Sequence, residues 1–187
     1  KHLISFFSND KRIKDTFFLF CFGMTTVDAV RGVDSIKADD KDFQIREAEV
    51  DDAETIQKFR VDMDRYTASS SILLPYEEKP EINYYENYLQ EDSTKGWLAI
   101  KDNDPVSYIL MRKSSDGTYV IHDENSININ GAYTKEGFRR KGIGTKLLSK
   151  AVQWAEEKGY QKITVDFELE NILGRNFWFK YFKPVCY

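Results

Sequence analysis

The chain has 187 residues and a formal net charge of −4, with 41% hydrophobic, 31% charged and 14% aromatic residues. That much apolar material buries a core, which excludes general disorder, and the length fits one domain with an appendage. The net negative charge argues against duplex nucleic acid as a partner, and no apolar run reaches membrane-spanning length, residues 17–22 being the longest.

In chain order, an aromatic-rich segment predicts a helix over about 9–22, and Thr25, Thr26, Val27 and Val30 predict a strand near 25–31 around a polar Asp28. Cys21 and Cys186 are too few for a disulfide framework and are expected as cytoplasmic thiols. No basic segment followed by an apolar one opens the chain, so no secretion signal is expected, and a start at Lys1 suggests a fragment of something longer. Residues 33–42 are polar with a lone Ile36 and read as a linker. Phe43, Ile45 and Ala48 suggest a short strand. Asp51 or Asp52 can cap a helix whose Ile56, Phe59, Met63 and Tyr66 share one face. The stretch 67–80 holds three serines and two prolines and reads as a loop, whose Ile72, Leu73, Leu74 and Tyr76 would help shape an acceptor site. Ile82, Tyr85 and Leu89 suggest a second, short helix.

Residues 96–101 and 106–113 predict two strands around the turn Asp102-Asn103-Asp104-Pro105, and 119–122 could extend that meander past Asp116-Gly117. Ile127, Ile129, Gly131 and Tyr133 alternate as in a strand. A long helix follows over roughly 141–158, with Ile143, Leu147, Leu148, Ala151, Val152 and Ala155 as its buried stripe and Gly159 closing it. Residues 163–167 predict another strand. Asn171 can cap a last helix reaching about Tyr181, stopped by Pro184. This order predicts an α/β class: a mixed sheet flanked by helices. Residues 17–23 also resemble residues 177–183, with Phe17/Phe177 and Phe22/Phe182 identical.

The informative stretch is 127–144, where a strand runs into a basic, glycine-containing turn that opens the long helix. Gly142 and Gly144 let the backbone curl closely around a ligand, and the first N–H groups of the helix stand unpaired at its positive end. With Arg139, Arg140 and Lys141 this suits a pyrophosphate, although a basic surface turn at a helix start has the same composition. A Walker A loop fails, because Ile143-Gly144 follows Gly142 where Lys-Ser/Thr is needed. A dinucleotide fingerprint fails at Leu147, where it needs a third glycine. His2 and His122 have no nucleophile at a recognisable spacing, and Asp102-Asn103-Asp104 lacks the glycine and distal glutamate of a calcium loop. No metal site is expected.

Arg139-Arg140-Lys141-Gly142-Ile143-Gly144 resembles the acetyl-CoA pyrophosphate loop of the GNAT N-acetyltransferase superfamily. The likeness extends upstream to Asn130-Gly131-Ala132-Tyr133 and downstream through the 147–155 helix, Gly159-Tyr160, the strand 163–167 and Asn171…Gly174…Phe177-Trp178. It covers roughly residues 43–187. It implies the family's central, mostly antiparallel sheet, acetyl-CoA as cosubstrate, and transfer of its acetyl group to a primary amine of a small molecule or peptide. Cofactor contacts are implied for Ala132, Tyr133, Thr134, Arg139, Arg140, Lys141, Gly142, Ile143, Gly144, Thr145, Asn171 and Trp178. A backbone N–H within 132–134 would stabilise the oxyanion, and Asn171 would bond the pantetheine arm or serve as a plain helix cap. Candidate bases are Glu124, Asp166 and Glu168, each also readable as a surface carboxylate. The family's usual general acid is a Tyr at the position of Trp178. Tryptophan cannot give up a proton in that way, so a catalytically degenerate acyl-CoA-binding module is the alternative. The resemblance also implies that residues 1–32 are the tail of a preceding GNAT-like domain. The domain at 43–187 would lack its last strand, with 25–31 lying in or next to the sheet near 161–167, in the same or a neighbouring molecule.

Overall fold

A computed structural model describes residues 4–20, 22–38, 43–68, 82–113 and 123–187. Its strands are β1 (Thr26–Gly32), β2 (Gln44–Glu47), β3 (Thr94–Lys101), β4 (Asp104–Lys113), β5 (Ser126–Thr134), β6 (Lys162–Glu168) and β7 (Lys183–Cys186). Its helices are α1 (Lys11–Leu19), α2 (Ala53–Ala68), α3 (Ile82–Gln90), α4 (Ile143–Glu157) and α5 (Ile172–Tyr181). The strands form one sheet in the order β2-β3-β4-β5-β6-β1-β7. Only β5 and β6 run parallel; every other pair is antiparallel. The expected mixed α/β architecture is therefore present. The expected loop at 67–80 and the extension at 119–122 fall outside the described residues, except that Thr67 and Ala68 close α2 instead of opening the loop.

Strand alternation divides the side chains between two layers. On one face Ile109, Met111, Ile127, Ile129, Ile163, Val165 and Phe167 pack with the α4 stripe of Ile143, Leu147, Leu148, Ala151, Val152 and Ala155, all buried. On the other, Leu98, Tyr108 and Leu110 meet Ile56 and Phe59 of α2 and Tyr85 and Tyr88 of α3. Gly159, with φ +82°, ends α4 in the left-handed conformation that glycine adopts without steric cost. The start of α2 differs from expectation. Asp52 sits in the preceding single turn of 3-10 helix (Val50–Asp52), and its carboxylate accepts the Glu49 N–H (2.9 Å) and grips Arg46 through two bonds of 2.6 and 2.7 Å. Its geometry is thus fixed by an arginine from β2, a partner that local spacing does not reveal.

The N-terminal strand lies where its pattern predicts. β1 pairs with β6 over seven positions, from Thr26↔Glu168 to Gly32↔Lys162, and buries Val27 and Ala29. The expected absence of a strand after Pro184 is corrected: Lys183–Cys186 is β7, and it pairs with β1, not β6. Phe6 and Tyr187 exchange backbone hydrogen bonds of 3.0 Å beside it, and the Phe6 ring stacks on Phe17 of α1 at 6.0 Å. Among the described residues no helix is long and apolar enough to cross a membrane.

Candidate active site

The parallel β5–β6 ladder runs only from Ser126↔Lys162 to Ile129↔Val165. Beyond it the strands part, and β5 continues to Thr134 paired with β4 alone. A bulge in the β4–β5 ladder, between Leu110/Met111 on β4, coincides with the parting and leaves Asn130 unopposed. The β6-facing edge of β5 past Ile129 therefore carries backbone groups with no strand partner. Such an edge is costly to bury unless a ligand satisfies it.

A cleft of about 420 Å³ opens at this parting and runs to the head of α4. Ala132, Tyr133, Thr134, Arg139, Arg140, Gly142, Ile143, Gly144, Thr145, Asn171 and Trp178 all line it, so the residues singled out for the acyl-CoA converge on one space. Lys141 does not line it; its ammonium lies 5.2 Å from the centre of the Phe138 ring. At the loop, Arg140 (φ +59°) and Gly142 (φ +86°) are both left-handed, which curls the chain before α4. The first intrahelical bond at this end runs from the Lys146 N–H to the Gly142 carbonyl at 3.0 Å. The N–H groups of Ile143, Gly144 and Thr145 are thus left at the positive end of a fifteen-residue helix. Gly144 serves a second purpose: a Cβ there would stand 3.3 Å from the Phe177 ring, so glycine lets α5 approach.

The cleft walls are stitched by side chains. The Arg139 guanidinium donates to the Thr134 carbonyl (3.0 Å) and lies 4.5 Å from the Tyr66 ring centre and 5.4 Å from that of Tyr133. Asn171 caps α5, its Oδ1 accepting the Gly174 N–H at 2.9 Å, while the residue also faces the cleft. Trp178, 9% exposed, lines the cleft. The nearby Tyr181 hydroxyl is engaged with Thr145 Oγ1 at 2.9 Å and lies outside the cleft lining.

The candidate bases separate. Glu124 is exposed in the turn before β5, roughly 20 Å along the strand from Ala132, and is not brought to the cleft. Asp166 and Glu168 follow the last β5–β6 pair and alternate with the buried Val165 and Phe167, which puts them on the face that carries α2. Crowding of the Asp166 carboxyl by the surrounding chain, followed by the like charges of Glu168 and Asp28, raises its pKa to about 6, although the residue keeps contact with solvent. Arg60 of α2 opposes that rise from the same side. Among the described residues no three His, Cys, Asp or Glu side chains are grouped to hold a metal ion.

Sequence reasoning missed Ser107, whose hydroxyl bonds the Tyr133 carbonyl and the Thr134 hydroxyl, both at 2.7 Å, and so fixes the free edge of β5. It also missed Lys180, which lines the cleft; neither residue has a local signature in the sequence.

Residues 59–181 match the family described as Acetyltransferase (GNAT) family. Streptothricin acetyltransferase A of Bacillus subtilis (strain 168) is 28% identical over 109 residues, which cover 55% of this chain and 58% of that protein. The aligned part thus spans little more than half of that curated relative. Among solved structures, the aminoglycoside N-acetyltransferase AAC(6')-Iy in complex with a bisubstrate analog is similar with a TM-score of 0.60 at 16% identity, over 75% of this chain and 89% of that one. A functionally unknown protein of Staphylococcus epidermidis is similar with a TM-score of 0.59 at 14% identity. That match covers 97% of this chain and 69% of the other, and so takes in the N-terminal segment. With a family match over about two thirds of its length and a parted β5–β6 pair opening on the bared head of α4, the chain belongs to the GNAT acetyltransferase family.

Proposed function

We propose that the cleft binds acetyl-CoA and that the chain transfers its acetyl group to a primary amine of a small-molecule or peptide acceptor. The observation that carries this reading is the set of bare N–H groups at Ile143, Gly144 and Thr145 behind a left-handed, basic turn, a fit for a pyrophosphate. The unpartnered edge of β5 offers backbone N–H groups to the thioester carbonyl and to the oxyanion formed from it. The Asn171 side-chain amide, its oxygen used as a cap, keeps its N–H groups for an amide of the pantetheine arm.

An amine must be neutral to attack, and an alkyl ammonium near pKa 10 holds its proton at neutral pH. Asp166, ionised above about pH 6 and beside the parting of the strands, takes that proton directly or through water. The nitrogen then forms its bond to the carbonyl carbon, the carbon–sulfur bond breaks, and CoA leaves as thiolate. Relatives named for acetylating streptothricin and aminoglycosides support an amine acceptor.

The Trp178 indole in the cleft favours a second reading, an acyl-CoA-binding module without turnover, because it gives the departing thiolate no proton. Titration with acetyl-CoA, followed by thiol release over a panel of amines, separates the two. Binding with release supports transfer; binding without release from any amine supports the module. Trp178→Tyr is expected to raise turnover if proton delivery limits it.

A further inference from the structure

We propose that Lys180 of α5 supplies a cation to the pyrophosphate of the bound acyl-CoA, whereas Arg139 of the loop holds the cleft wall and gives the phosphates no charge. This rests on the acetyl-CoA reading above.

The basic side chains around the head of α4 are not equally free. The Arg139 guanidinium is engaged with the Thr134 carbonyl at 3.0 Å and lies over the Tyr66 and Tyr133 rings, which ties the end of α2 to the free edge of β5. Lys141 lies over Phe138, outside the cleft lining. Lys146 donates to the Phe43 carbonyl at 3.0 Å. Arg140 and Lys180 remain. Both line the cleft, one from the loop and one from α5, and no carboxylate pairs with either among the described residues.

The helix dictates where Lys180 stands. Leu173, Phe177 and Lys180 are spaced i, i+4 and i+7, and all three line the cleft, so they form one stripe of α5. Arg175, the other basic residue of α5, donates instead to the Leu169 carbonyl at 3.3 Å. Two contacts bring the end of that stripe to the bare N–H groups of α4. Phe177 packs against Gly144, and the Tyr181 hydroxyl bonds Thr145 Oγ1 at 2.9 Å. The Lys180 ammonium lies 4.9 Å from the Tyr181 ring centre, at the same junction. It is exposed, and a hydrated ammonium on a four-carbon stem can swing onto an anion without leaving a partner behind. An anion at the head of α4 is then held by backbone N–H groups from one helix and by a charge from the other.

The test measures binding of acetyl-CoA and of its 3'-dephospho form to the intact chain by calorimetry, at low and high ionic strength. Lys180→Gln, at an exposed position with little risk to folding, is expected to bind both about tenfold more weakly at low ionic strength, with the gap narrowing as salt screens the charge. Lys180→Arg is expected to restore affinity. Arg139→Met is expected to lose affinity by a factor that salt leaves unchanged, because it loses packing and a hydrogen bond and no phosphate contact. Undiminished affinity in Lys180→Gln, or a loss that salt leaves unchanged, overturns the proposal and leaves the acetyl-CoA reading standing. A loss with acetyl-CoA that vanishes with the dephospho form puts the contact at the 3'-phosphate and overturns the pyrophosphate assignment. A loss in Arg139→Met that narrows with salt overturns the division of roles. Failure of the folded, unmodified chain to bind acetyl-CoA overturns both this proposal and the reading it rests on.

Discussion

Gly142 and Gly144 have different reasons to be glycine, so their substitutions should fail differently. Gly142→Val forces a branched residue to φ +86°, costing about 1–2 kcal/mol of backbone strain, and puts methyl groups beside the curled loop. Acetyl-CoA affinity should fall much further than stability. Gly144→Val drives a side chain toward Phe177, so the melting temperature should fall together with affinity. Equal acetyl-CoA affinity in both variants and the unmodified chain would remove the loop assignment. The base proposed above is tested by pH. Asp166 in that role must be ionised, so kcat/KM should rise with pH and reach its half-point near 6, a value set first by burial, then by the like charges of Glu168 and Asp28, with Arg60 opposing. The stability effect has the opposite sense. A carboxyl whose pKa is raised on folding disfavours the folded state above that pKa and has no effect once both states are protonated. Asp166→Asn should therefore raise the melting temperature at pH 7.5, with the gain disappearing toward pH 4. A pH-independent difference would show that charge is not the cause.

Among the elements, β1 is the one whose placement depends on the whole fold. It covers the edge of β6 and hands its own second edge to β7, so removing it bares a row of unpaired backbone groups. Val27→Ala, at a fully buried position, should cost about 2 kcal/mol in denaturant unfolding followed across the whole chain. A negligible cost would mean that β1 detaches without consequence. The strands and helices with strong periodicity were legible in advance, because a stripe such as Leu147, Leu148, Ala151 and Val152 has only one economical way to be buried. The strand β7 was not. Pro184 reads as a stop, and only as one of four residues in an edge strand, paired on one side, is a proline tolerated there. The bulge that leaves Asn130 unopposed was also hidden, since it depends on the register of β4 against β5 and not on either strand alone. In the cleft, the loop from Arg139 to Thr145 was legible because it is contiguous. Ser107 and Lys180 reach the cleft from other elements and have no local signature.

At the scale of the molecule, charge is divided across the sheet. Arg139, Arg140 and Lys180 surround the cleft at the head of α4, while Asp28, Asp166 and Glu168 occupy the face beyond the parting of β5 and β6. The basic end suits the anionic donor proposed above. The net charge of −4 conceals that division. The most direct measurement is product analysis by mass spectrometry after incubating the chain with acetyl-CoA and a mixture of mono- and polyamines, with Gly142→Val in parallel. The expected result is free CoA and N-acetylated amine in equal amounts, with neither formed by the variant. Acetyl-CoA bound by the unmodified chain yet no acetylated amine from any acceptor, or equal product from chain and variant, would contradict acetyl transfer at this cleft.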